Sequence, residues 1–165
     1  MLWEMEVHML LHPFPPAFNK DSRVLILGSF PSVKSRQYGF YYGHPRNRFW
    51  PLIAGILSEA VPQSIDEKRA MLARHRIALW DVILSCDLAG SMDHNIKNPH
   101  PNDLPELIKK IPIQRILLNG QLANKEYQRY FSDISLHAVA LPSTSPANAA
   151  WSLQRLEEAW KPWLL

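Results

Sequence analysis

The stretch "RVLILG", Arg23 to Gly28, decides the fold. Its leucine and β-branched residues run on without polar alternation and stop at a glycine. A strand with one face in water alternates apolar and polar residues, whereas a run apolar throughout is covered on both faces, as the strands of a parallel sheet between helices are. Three more segments downstream read as strands: "IALWDVIL" beginning at Ile77, "QRILLNG" ending at Gly120, and "SLHAVALPSTS" breaking at Pro142. Helical patterns separate them. "RFWPLIAGILSEA" spaces Phe49, Leu52, Ile53 and Ile56 on one face, with Asn47 as its expected N-cap and Pro51 in the first turn. "SIDEKRAMLARHR" opens on a capping box, Ser64 with Glu67. "LPELIKKI", "QLANKEYQRYF" and "PANAAWSLQRLEEAWKPWLL" follow, the last expected to begin near Pro146. Strands alternating with helices predict an α/β fold with a mostly parallel sheet of about four strands and helices on both faces. Two connections, 29–47 and 85–103, read as irregular.

Ligands of such a sheet bind beyond the carboxyl ends of its strands. The loops after Leu27, Trp80, Leu118 and Leu141 are therefore where a site is expected, and they hold most of the polar and special residues. The chain has 165 residues, 47% hydrophobic and 20% charged, which suits one domain over 1–165. Neither a secretory signal nor a membrane-length apolar run is present in the sequence. The single cysteine, Cys86, excludes an internal disulfide and fits a reducing cytoplasm. Net charge is +3, but between Ser22 and Ser58 there is no Asp or Glu, while Arg23, Lys34, Arg36, Arg46 and Arg48 all fall there. A basic face of that kind fits a polyanionic partner.

Several chemistries are excluded by their motifs. "GSFPS" is neither a dinucleotide fingerprint nor a P-loop, no metal-ligand spacing occurs among the seven His, and Ser29, Ser32, Ser143 and Ser145 lack a nucleophile elbow. No metal and no cofactor is expected. Two loops remain. The first, Gly28 to Asn47, offers backbone amides, Tyr41, Tyr42, His44 and basic flanks; the second, "LPSTSPANA", is uncharged, rich in hydroxyls, and expected to lead into a helix whose positive end could hold phosphate. Aromatic side chains in the first loop suit stacking on a base.

Together, "RVLILGSFPSVKSRQYGFYYGHPRNRFWPLI" and "LPSTSPANA" resemble the uracil-DNA glycosylase superfamily, and most closely its hypoxanthine-DNA (deoxyinosine) glycosylase branch. "LWDVILSCDLAGSMDHNI" and "ILLNG" fit the same branch between the two end motifs, so the match runs from about Phe14 to Trp163. The resemblance implies a three-layer α/β/α sandwich and a monofunctional, cofactor-free hydrolase. Its substrate would be DNA with a deaminated base, flipped into a pocket at the strand ends and released as hypoxanthine or uracil. A monomer in the cytoplasm is expected. Flipping has a physical motive, since the glycosidic carbon is out of reach inside a stacked duplex.

Residue roles carried by the resemblance stand beside plainer readings. Many relatives place a catalytic Asp or Asn in the Gly-x-x-Pro turn, but here the turn is Gly28-Ser29-Phe30-Pro31, and Phe30 cannot orient water. In the hypoxanthine branch the catalytic Asn of His-Pro-x-Asn falls on Asn47; the same residue also reads as a helix cap. His44 either stabilises charge on the departing base or closes the turn before Pro45. Ser29, Phe30 and Tyr42 are placed to hold the base, the two aromatics alternatively packing in the core. Asn119 either hydrogen-bonds the base or forms an ordinary turn before Gly120. Ser143, Thr144 and Ser145 resemble the loop that grips phosphates, with a helix cap at Ser145 as the alternative. Lys34, Arg46 and Arg48 are either phosphate contacts or solvated surface. Asp81, without a visible partner, reads as structural. A module that binds damaged DNA without hydrolysing it, and an enzyme acting on free nucleosides, are the competing functions.

Overall fold

A computed structural model describes residues 7–89 and 96–165. In chain order the elements are β1 (Val7–Leu11), β2 (Val24–Gly28), α1 (Val33–Tyr38), α2 (Phe49–Leu57), α3 (Ile65–Arg74), β3 (Ile77–Asp81) and β4 (Ile83–Ala89). Then come β5 (Ile96–Pro101), α4 (Leu104–Lys110), β6 (Arg115–Asn119), α5 (Gln121–Phe131), β7 (His137–Leu141) and α6 (Leu153–Leu164). β3, β2, β6 and β7 form a parallel sheet in that order. The apolar run that opened the argument is its central strand, and every residue of β2 is buried.

Alternation along that strand makes the layers. Val24 and Ile26 join one core with α2, α3 and α6, while Leu25 and Leu27 join the other with α4 and α5. Neighbouring strands keep the same division, Leu79 and Leu117 on the first side, Ala78, Ile116 and Leu118 on the second. Helices on both faces of the parallel sheet make the three-layer α/β/α sandwich. α6 buries Leu156, Trp160 and Leu164, one face at helical spacing, and the Trp160 indole donates to the Pro142 carbonyl at 2.9 Å. That bond ties α6 to the loop after β7.

The chain departs from the sequence expectations in four places. "IALWDVIL" is not one strand. The parallel ladder closes on the Val82 N–H, which donates to the Gly28 carbonyl at 2.8 Å, and the buried Asn102 amide donates to the Asp81 and Ile83 carbonyls beyond it. The 85–103 connection, expected to be irregular, instead holds most of β4 and all of β5, which with β1 form a second, antiparallel sheet ordered β1-β4-β5. Residues 90–95, part of the quoted resemblance, lie outside the described residues. The 29–47 loop contains the short helix α1, which Ser32 caps by accepting from the Ser35 N–H. The last helix begins at Leu153 with Ser152 as its cap, so no helix end stands at Pro146.

Among the described residues no helix is long and apolar enough to cross a membrane. Strand order matters most for the site. β2 has β3 on one side and β6 on the other, so the connection from β2 to β3 and that from β6 to β7 leave in opposite directions and open a crevice between Gly28 and Asn119.

Candidate active site

A cavity of about 950 Å³ occupies that crevice. Its walls bring together both sequence loops: Ser29, Phe30, Tyr42, His44 and Asn47 from the first, Ser143, Thr144 and Ser145 from the second, and Asn119 between them. Lys34 and Arg46 are exposed outside it.

The two loops are joined by one directed chain of hydrogen bonds. The Phe49 N–H donates to Asn47 Oδ1 at 2.9 Å, which fixes which amide atom is the oxygen, because a backbone N–H can only donate. The same oxygen accepts the Thr144 hydroxyl at 2.8 Å. Thr144 is fully buried; its N–H donates to Asn119 Oδ1 and its Oγ1 accepts from Asn119 Nδ2, both at 3.0 Å. Both lone pairs of Asn47 Oδ1 are therefore engaged, and the Nδ2 group is what Asn47 has for a ligand. The helix-cap position is held by Arg48, not Asn47 as expected from the sequence, although Asn47 supplies a cap-like bond one residue earlier.

His44 closes its turn and keeps a donor. Its Nδ1 accepts the Arg46 N–H at 3.0 Å, so the neutral ring carries its proton on Nε2. Tyr42 sits at φ 55°, with its ring stacked on Phe49 at 3.9 Å and 19°. One face of Tyr42 is thus taken by the core. Burial, and then the neighbouring Asp81 carboxyl, hold its phenol protonated far above the usual tyrosine range. Phe30 lines the cavity half-buried and meets the His12 ring edge-on at 5.9 Å. Gly28 admits no side chain: a Cβ there would lie 2.5 Å from Asp81 Oδ1 and 3.2 Å from the Tyr42 hydroxyl.

The second loop binds differently from expectation. With α6 starting at Leu153, the helix this loop leads into does not begin at its hydroxyls. Ser143 Oγ accepts the Ser145 N–H at 3.1 Å, and Ser145 Oγ accepts the Ala147 N–H at 3.2 Å, an internal bond in place of the expected helix cap. Both hydroxyl protons are then the donors these serines can offer. Arg48 differs most. Its guanidinium donates to the carbonyls of Ser145 at 2.9 Å, Asn148 at 3.0 Å and Trp151, holding the loop from within, so it does not stand out as a phosphate contact.

Sequence reading missed His12 altogether and left Asp81 without a partner. In the structure His12 Nε2 lies 2.7 Å from Asp81 Oδ2, both side chains nearly inaccessible. The partners are separated by 69 positions, and His12 stands in a Pro-rich lead-in with no periodicity to mark it. Among the described residues no group of three or more His, Cys, Asp or Glu is arranged to hold a metal.

Comparison with known proteins gives the chain its family. The profile of the Uracil DNA glycosylase superfamily matches residues 15–164. A hypoxanthine DNA glycosylase of Methanosarcina acetivorans is 34% identical over 155 residues, 93% of this chain and 97% of that protein. A hypoxanthine DNA glycosylase of Methanosarcina barkeri is 34% identical over 150 residues, 89% of this chain and 93% of its own. An M. acetivorans chain solved in solution by NMR, and assigned as a uracil DNA glycosylase, superposes with a TM-score of 0.82 at 31% identity, covering 95% of this chain and 97% of that one. With the profile spanning both cavity loops and relatives alike over nearly their full length, the chain belongs to the uracil DNA glycosylase superfamily.

Proposed function

We propose that the protein is a monofunctional DNA glycosylase that flips hypoxanthine, and uracil as a second substrate, out of DNA and hydrolyses the N-glycosidic bond, leaving an abasic site for base excision repair. The observation that carries this reading is the Asn47–Thr144–Asn119 chain, which locks the two loops into one cavity wall and leaves the Asn47 Nδ2 group as a donor. Breaking the bond from C1′ to the base nitrogen sends the electron pair to the base and leaves an oxocarbenium-like sugar. Catalysis then requires donors placed where negative charge grows. Asn47 Nδ2 and His44 Nε2 are such donors. With Asn47 Oδ1 already engaged twice, the amide acts on the base or on a water's oxygen, not as a proton acceptor. Water adds to C1′ once the base has left, and its proton passes to solvent.

In this proposal Ser29, Phe30, Tyr42 and Asn119 enclose the base. Ser143 and Ser145 donate hydroxyl protons to phosphates, and Thr144 positions Asn47. In this reading the protein acts as a monomer of one 1–165 domain, in the cytoplasm, on the cell's DNA.

Duplexes holding one deoxyinosine or one deoxyuridine, followed by alkali, test the reading: strand breaks at the modified position are expected. Binding of such duplexes without any alkali-labile site would favour a module that senses damage, and release from free inosine alone would favour a nucleoside enzyme. Lys34 and Arg46 have a separate expected effect. Each replacement by alanine lowers the slope of log affinity against log salt by about 1, with single-turnover rates at saturating enzyme unchanged. Filter binding at several salt concentrations measures the slope, and an unaltered one removes that residue from the phosphate path.

A further inference from the structure

With Arg48 turned inward, the second loop needs a cation from elsewhere if it is to meet phosphate with charge, because residues 142–151 include no Lys or Arg. α6 supplies one. Trp151 ends the loop, its half-buried ring packed against the core that α2 and α6 share, and it belongs to the cavity wall. The Arg155 guanidinium lies over that ring, 4.1 Å from the indole centroid, a close cation–π contact. Two bonds tether the residue further. Its N–H donates to Ser152 Oγ at 3.2 Å, which caps α6, and its Nη1 donates to the Ala150 carbonyl at 3.2 Å. Arg155 is nevertheless exposed, and no carboxylate among the described residues forms an ion pair with it.

A surface arginine ordinarily samples many rotamers, and fixing it on a ligand costs that freedom. Here the indole and the Ala150 carbonyl have already fixed it. A guanidinium has five N–H donors in one plane, and the Ala150 bond uses only one, so the edge formed by Nε and Nη2 is left for two parallel bonds to a single anion. Such an edge fits the oxygens of a carboxylate or a phosphate. Its surroundings favour phosphate: Trp151, which carries the cation, shares the cavity wall with Ser143 and Ser145, whose hydroxyl protons are donors.

We propose that Arg155, held flat on Trp151, binds one backbone phosphate of the substrate strand beside the flipped nucleotide, a phosphate distinct from those met by Lys34 and Arg46 on the first loop. Trp151 is the positioning residue. The inference rests on the glycosylase reading and adds a contact to it. A strand crossing the cavity mouth then meets a cation from each of the two walls, which holds it on both sides of the nucleotide that leaves the stack.

The test is filter binding of duplexes holding 2′-fluorodeoxyinosine, whose glycosidic bond resists cleavage, with one phosphate at a time replaced by an uncharged methylphosphonate. Wild type is expected to lose affinity roughly 10-fold at each of a few positions near the modified nucleotide. Arg155→Gln removes one position from that set and lowers the slope of log affinity against log salt by about 1, whereas Lys34→Ala and Arg46→Ala leave that position sensitive. Arg155→Lys keeps the slope but binds roughly 3- to 10-fold less tightly, because an ammonium cannot present a flat fork. Trp151→Leu, which retains the backbone carbonyl that Arg48 holds, gives the same pattern as Arg155→Lys. A wild-type slope in Arg155→Gln, or a set of sensitive phosphates unchanged from wild type, overturns the proposal, and Arg155→Lys binding as tightly as wild type overturns the part given to Trp151. In each of these cases excision from an ordinary deoxyinosine duplex leaves the glycosylase reading standing. No excision from any duplex sinks that reading, and this inference with it.

Discussion

An Asn47→Asp variant is expected to fold as the wild type does and to excise hypoxanthine about 100- to 1,000-fold more slowly, no faster than Asn47→Ala. The substitution separates two roles that one side chain combines. Aspartate keeps an oxygen for the Phe49 N–H and the Thr144 hydroxyl, the two bonds Asn47 Oδ1 accepts, and Asp is as good as Asn at a helix entrance. What it lacks is the Nδ2 donor. In its place it sets a second oxygen toward a base that is becoming an anion. Alanine removes both functions, so it loses the excision rate and also about 1 kcal/mol of stability. Urea midpoints for the three proteins, alongside single-turnover rates on a deoxyinosine duplex, separate the effects. An Asn47→Asp enzyme with near wild-type excision would show that only the cap matters and that the base is released by other groups.

The same residue shows how far the sequence could be read. "GHPRNRFW" left a cap and a catalytic amide as alternatives for Asn47, and hydrogen-bond direction is what reconciles them, since its cap-like bond to the Phe49 N–H uses the oxygen and leaves the NH₂. The oxygen's second lone pair is taken by Thr144, which is 97 positions away, and no local pattern contains it. The parallel sheet was legible because its signal is local: apolar runs ending at Gly28 and Gly120, with helices between them. The second sheet was not, because β4 continues the apolar run of β3 with both Val82 and Ile83 buried, so burial carries no mark at the break. The strand ends there because Asn102, a residue from much later in the chain, takes up the carbonyls on either side of Val82. The start of α6 was misplaced for a related reason. Pro146 suits a first helical turn, but the carbonyls of Ser145, Asn148 and Trp151 are drawn to the Arg48 guanidinium, and the chain turns through that cluster before the helix begins at Leu153.

That cluster carries the second large effect. Arg48→Met is expected to lower stability by about 2 kcal/mol and excision by roughly 10- to 100-fold, while the salt dependence of DNA binding stays at the wild-type slope. Methionine conserves length and apolar stem but gives no donor to the three carbonyls, which lose charge-assisted bonds. Loop 145–151 then loses its inner anchor. Thr144 immediately precedes it, and the Arg48 N–H also donates to the Thr144 carbonyl at 3.1 Å, so loosening the loop disturbs the hydroxyl that orients Asn47. Arg48→Lys is expected to fare little better, because one ammonium cannot reproduce a planar fork between carbonyls on separate residues. A phosphate contact predicts the opposite pattern: stability unchanged and a slope lowered by about 1, as for Lys34 and Arg46. Denaturation, hydrogen exchange across 143–151 and filter binding on the same variants distinguish the two. Faster exchange in that loop with an unaltered slope is the expected result, whereas a reduced slope with wild-type exchange would return Arg48 to the DNA-facing surface.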